Sequence, residues 1–204
     1  MTDNKHELEK NPELPLSKEE CVYTKCYCEE NVWKVCEYVK NHHPAVLDNC
    51  YCVFISNKDK VIPLWQQKSS QREDTLVIWD YHVIFIYKQS EKESFVYDLD
   101  TSLPFPCDFK TYFLEGIRSN QTLQPQYHRS FRVISAPMFL QTFASDRSHM
   151  LNEEGNYLHP PPTYQCIKTK ECDNNISDFI SMDPDVGVGM VKPLNDFVSF
   201  FHHS

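Results

Sequence analysis

Glycine is scarce in this 204-residue chain, with four residues against thirteen prolines. Such loops are stiff and offer few backbone turns that cradle phosphate. The one close pair, Gly187-Val188-Gly189, is too short a match for a phosphate loop or a dinucleotide fingerprint. Positive charge is also in short supply: 20 Lys and Arg against 29 Asp and Glu give a formal net charge of −9. That balance disfavours nucleic acid and anionic membrane surfaces as main partners and is compatible with a cationic substrate. No apolar stretch approaches the roughly 20 residues that span a bilayer. Residues 1–20 lack the apolar run of a secretory leader. The expectation is a cytoplasmic protein, with the nucleus also open to it.

Cysteine is plentiful, but its count of nine is odd, so disulfides cannot pair every residue. Without an export signal, the reading is reduced thiols. A chain of this length buries roughly 70% of its unfolded surface and needs neither metal nor disulfide to fold. The expected organisation is a loose polar leader over 1–18, carrying Pro12 and Pro15, followed by a single domain over 19–204.

Val32, Cys36 and Val39 recur at helical spacing, with Trp33 on a flank, and predict a helix over 29–42. Glu29 and Glu30 suit the positive end of its dipole, and Pro44 ends it. A strand over 51–56 is expected to turn at 57–60 into a second over 61–66, which Pro63 confines to an edge. The runs 76–87, 95–99 and 131–135 read as further strands, and 109–117, 138–143 and 195–201 as helical segments. Residues 145–175, with three consecutive prolines, form a long loop of the kind that is usually functional. Hairpin-linked strands following one helix point to an α+β fold with a mostly antiparallel sheet.

The long strand carries the chemistry. Alternation puts Asp80, His82, Ile84 and Ile86 on one face, and Val96 and Asp98 share a face of the next strand. A hairpin symmetric about Ser90 sets His82 directly across from Asp98, within reach of an imidazole–carboxylate hydrogen bond. Such a pair fixes one tautomer and leaves the other ring nitrogen as a base. Cys28 is the best-placed nucleophile because it immediately precedes the helix, where backbone N–H groups stabilise a thiolate and an oxyanion. A Cys at a helix start with His and Asp on adjacent antiparallel strands is the arrangement of papain-like and transglutaminase-like enzymes. The bland alternatives are a structural histidine, a turn carboxylate and a small core cysteine. Cys26 is a rival nucleophile. Cys21, Cys26 and Cys28 with His42 and His43 are the other reading, a Cys-rich zinc or protein-interaction module, although their spacing does not match zinc ribbons or fingers.

Several strings resemble the eukaryotic protein N-terminal glutamine amidohydrolase family. They are Trp79-Asp80-Tyr81-His82-Val83, Cys26-Tyr27-Cys28-Glu29-Glu30-Asn31, Tyr97-Asp98-Leu99-Asp100, Pro104-Phe105-Pro106-Cys107, the run from Phe143 to Met150 and the run from Asp178 to Pro184. The resemblance runs from about Cys21 to the C-terminus. One departure is Val188, where the family pattern carries a tryptophan. The resemblance implies a papain/transglutaminase-like fold, a monomer and a Cys28–His82–Asp98 triad with no cofactor. It also implies release of ammonia from N-terminal glutamine through a thioester, feeding the N-degron pathway. The partners are then proteins or peptides with a free N-terminal glutamine. Asp80 and Asp146 are candidates for binding the substrate α-amine, and Tyr23 for a second oxyanion donor. A cysteine protease or transglutaminase of similar fold is the rival enzyme reading.

Overall fold

The protein is described here by a computed structural model covering residues 14–202. Helix α1 (Cys28–His42) forms where Val32, Val35, Cys36 and Val39 make one apolar stripe, and all four are buried. It ends at His43, whose backbone is non-helical, as a following Pro44 favours.

Eight strands follow. They are β1 (Cys50–Ser56), β2 (Ile62–Leu64), β3 (Val77–Trp79), β4 (His82–Lys88), β5 (Ser94–Tyr97), β6 (Cys107–Asp108), β7 (Ser130–Ser135) and β8 (Met190–Pro193). Six make an antiparallel sheet in the order β6-β5-β4-β1-β7-β8, and β2 pairs with β3 in a separate ribbon. The fold is therefore α+β with an antiparallel main sheet.

The sheet is covered on both faces, so its central strands are apolar on both. Cys52 and Phe54 of β1 with Val83 and Phe85 of β4 pack under α1, α3 (Ala136–Thr142) and α4 (Ile176–Ile180). Val53, Ile55, Ile84 and Ile86 pack on the other side against α2 (Phe109–Tyr112) and α5 (Leu194–Phe201). Phe131 and Phe197 stack there with ring centroids 4.0 Å apart.

Three expectations are corrected. The strand after residue 60 does not pair with β1: Asn57 Oδ1 accepts from the Asp59 and Val61 backbones and redirects the chain to β3. The run 76–87 is two strands, broken at Asp80-Tyr81, so Asp80 is not on the strand of His82. The run 109–117 leaves α-helical geometry after Tyr112 for a wider π turn over Phe113–Ile117. Most of the leader lies outside the described residues, but its last part is packed: Leu14 and Leu16 are buried and the Tyr97 hydroxyl donates to Leu14 O at 2.9 Å.

Candidate active site

β4 begins, β5 ends and α1 begins at the same end of the sheet, and the predicted residues sit at those three points. Both His82 and Asp98 are buried, and His82 Nε2 lies 3.0 Å from Asp98 Oδ1. The pair forms although the register is not the expected one. Phe85 faces Tyr97, so the hairpin is symmetric about Glu91 and the position across from Asp98 is Ile84. His82 is two residues beyond, hence diagonal but on the same face, because a two-residue slip preserves the face.

Asp98 also accepts from the Asp100 backbone at 2.9 Å and from the Tyr112 hydroxyl at 2.7 Å. Burial opposes its charge, but His82 and these donors outweigh it and depress the carboxyl below its ordinary range. Burial likewise opposes the imidazolium, yet Asp98 wins there too and raises His82. Trp79 stacks on the imidazole at 5.3 Å between centroids, held by its indole N–H on Gln67 Oε1 at 3.2 Å. His82 Nδ1 is buried with no hydrogen-bond partner.

Cys28 opens α1 and is 9% exposed. Its thiol donates to Glu29 Oε2 at 3.6 Å and meets the backbone of Val83, the residue after His82. A depressed thiol pKa is not what the site produces. Burial pushes Cys28 well above its ordinary value, the Glu29 carboxylate adds to this, and the Val83 bond only partly offsets it.

The sequence placed Glu29 and Glu30 in the first turn of the helix without showing their surroundings; both are fully buried. The Tyr81 hydroxyl donates to Glu29 Oε2 at 3.0 Å, and Glu29 Oε1 lies 3.5 Å from His149 Nε2. Glu30 takes a two-pronged bond from Arg147, both contacts at 2.8 Å, and Arg147 also donates to the carbonyls of Pro162 and Tyr164. The long proline-rich loop is thereby fastened to α1. The local signal was present, since consecutive acids in a first turn fit burial only when cations lie across from them, but Arg147 is remote in sequence.

A cavity of about 430 Å³ opens at Cys28. Cys26, Trp79, Asp80, Asp100 and His149 line it, with Met150, Leu158 and His159 contributed by the loop. Asp80 is therefore at the cavity, although not for the strand-face reason. Asp146 is not among the lining residues: its carboxylate is held by the Ser148 side chain and by Ser148 N at 2.9 Å, and these bonds lower its pKa. Tyr23 spends its hydroxyl proton on Asp100 Oδ1 at 2.6 Å and is not among the lining residues either. Asp100 itself was unassigned by the sequence; burial raises its pKa.

Among the described residues, His82, Asp98 and Asp100 are the one group of three or more His, Cys, Asp or Glu with ligand atoms within 4.8 Å of one another. Both Asp98 oxygens are already engaged by donors. Cys21, Cys26 and Cys28 do not converge with His42 and His43: Cys21 donates to Ser17 O, and His42 Nδ1 meets Tyr38 O. All nine cysteines are free thiols.

The profile of the N-terminal glutamine amidase family matches residues 23–201. Proteins called protein N-terminal glutamine amidohydrolase are similar over nearly the whole chain. The one from Danio rerio is 54% identical over 185 residues, 91% of each chain. That from Bos taurus is 53% identical over 184 residues, 90% of this chain and 88% of its own. That from Homo sapiens is 52% identical over 184 residues, 90% of this chain and 89% of its own.

Proposed function

The chain belongs to the N-terminal glutamine amidase family, and on that footing we propose that it converts N-terminal glutamine to glutamate with Cys28 as nucleophile. The observation that carries the mechanism is the buried His82–Asp98 pair with one ring nitrogen left open, next to a cavity that holds the Cys28 thiol. On this reading the fold is of the papain/transglutaminase type.

Asp98 raises the basicity of His82, so Nδ1 takes the Cys28 proton. The thiolate attacks the side-chain amide carbon. The first-turn N–H groups of α1 have no acceptor in their own helix and receive the oxyanion. Tyr23 is not needed for this, its proton being committed to Asp100. Collapse of the intermediate expels ammonia with the proton from His82 and leaves a thioester. His82 then takes a proton from water as it attacks, and the thiolate departs from the new carboxylic acid. Trp79 covers the imidazole and shields the ion pair from solvent.

A free α-ammonium is met by carboxylates. Asp80 and Asp100, both on the cavity wall, supply them. Ammonia release from short peptides beginning with Gln, Asn or acetyl-Gln tests the whole reading. Release from Gln alone is expected; equal release from acetyl-Gln would remove the ammonium contact, and cleavage or cross-linking in place of deamidation would favour a protease or transglutaminase.

A further inference from the structure

We propose that a second hollow, adjoining the Cys28 cavity, seats the third and fourth residues of the substrate chain and favours an acidic side chain there. The proposal rests on the reading of the Cys28 cavity as the seat of N-terminal glutamine. The second hollow encloses about 540 Å³ and is lined by Lys58, Lys60, Ile180, Met182 and Asp183, among others. Lys60 and Ile180 line both spaces, so the two hollows adjoin each other. Once the glutamine side chain reaches down to Cys28, the chain behind it must leave the cavity, advancing roughly 3.3–3.6 Å per residue. This groove is the adjoining space that the shared residues provide.

Both walls are fixed in advance, which removes part of the cost of binding. On one side, Asn57 Nδ2 donates to the carbonyls of Val61, Gln126 and His128 and pins the turn that carries the lysines. On the other, the buried Arg132 guanidinium donates to the carbonyls of Ser181, Asp183 and Val188 and locks the segment that carries Met182 and Asp183. Ile180 and Met182 give the groove an aliphatic side. Lys58 and Lys60 are both exposed. The lining of this hollow holds one carboxylate, Asp183, whose Oδ1 accepts from the Asp185 backbone N–H at 3.0 Å. The second hollow, taken by itself, is thus locally positive on a chain whose net charge is −9.

The test compares kcat/KM for ammonia release from Gln-Ala-amide and from Gln-Ala-Xaa-Ala-amide with Xaa as Glu, Ala or Lys. The wild type and Lys58→Glu are measured at low and high salt. Expected are faster turnover of the tetrapeptides than of the dipeptide and an order Glu, Ala, Lys. The spread, about fivefold for an exposed charge pair, should be carried by KM. Lys58→Glu should reverse the order, and salt should compress it in both proteins. Equal kcat/KM for all three tetrapeptides, or an unchanged order in Lys58→Glu, overturns the groove while leaving the deamidase reading intact. No ammonia from any of the peptides would instead overturn the deamidase reading, and this proposal with it.

Discussion

Asp98 stands diagonal to His82 across the β4–β5 hairpin, not opposite it, and still accepts its Nε2 hydrogen bond at 3.0 Å. The contact survives because Asp98 lies just past the end of β5, where the chain turns and the carboxylate can lean back along the sheet. Tyr112, brought in by α2, holds the second oxygen from the far side.

Cys28→Ala and Cys28→Ser should each lower ammonia release from a Gln-peptide by at least ~10³-fold, with circular dichroism and urea unfolding close to wild type. Cys26→Ser should retain turnover. The opposite pattern would transfer the nucleophile to Cys26.

Asp98→Asn keeps a hydrogen-bonding side chain but removes the charge that raises His82. A fall of about 10²–10⁴ in kcat is expected. Stability should respond in a definite pH window. His82 is raised above 6.5, so its contribution is complete below that value and fades as pH climbs through the higher folded pKa. Asp98 is depressed below 3.8, so its contribution is complete above that value and fades as pH drops through the lower folded pKa. The stability difference between wild type and Asp98→Asn should therefore peak between these two ordinary values and shrink on both sides. A flat difference from acid to alkaline pH in urea unfolding would show that the pair is not charged.

Glu29 sits against the thiol and adds to the burial that raises its pKa. Removing that charge in Glu29→Gln should shift the pH profile of Cys28 alkylation toward lower pH. Labelling of wild-type Cys28 should be slow near neutrality and accelerate as the solution becomes alkaline. An unshifted profile would mean that burial alone sets the thiol.

Arg147→Ala leaves Glu30 as an uncompensated buried carboxylate. The expected loss is about 3–5 kcal/mol, far more than a surface pair would cost. Replacing both partners with neutral residues should cost less than Arg147→Ala alone. Urea unfolding of the single and double variants measures this, and additive losses would contradict the coupling.

Asp100→Asn and Asp80→Asn should raise KM for Gln-peptides more than they lower kcat, since both carboxylates are assigned to the substrate ammonium. Steady-state kinetics separates the two parameters. A loss confined to kcat would place the residue in the chemistry instead.

The helix carrying Cys28 and a strand through His82 were legible because each has a local signature, periodic valines in one and an unbroken β-branched and aromatic run in the other, although that run hid the break at Asp80-Tyr81. Three things were not. The turn after β1 resembles a hairpin, but the Asn57 side chain redirects it. The hairpin centre was displaced by one residue, an error that parity concealed because it moved the register by two. Glu30 and Arg147 are 117 positions apart, and no local pattern couples them. Similarly, Asp100 and His149 gain their place at the cavity only when the sheet end and the long loop meet.

The clasp between Arg147 and Glu30 joins the long loop that lines the cavity to the helix that bears Cys28. Met150, Leu158 and His159, which follow Arg147 along the chain and reach the cavity wall, are thereby set relative to Cys28 by folding itself and not by the arrival of a peptide.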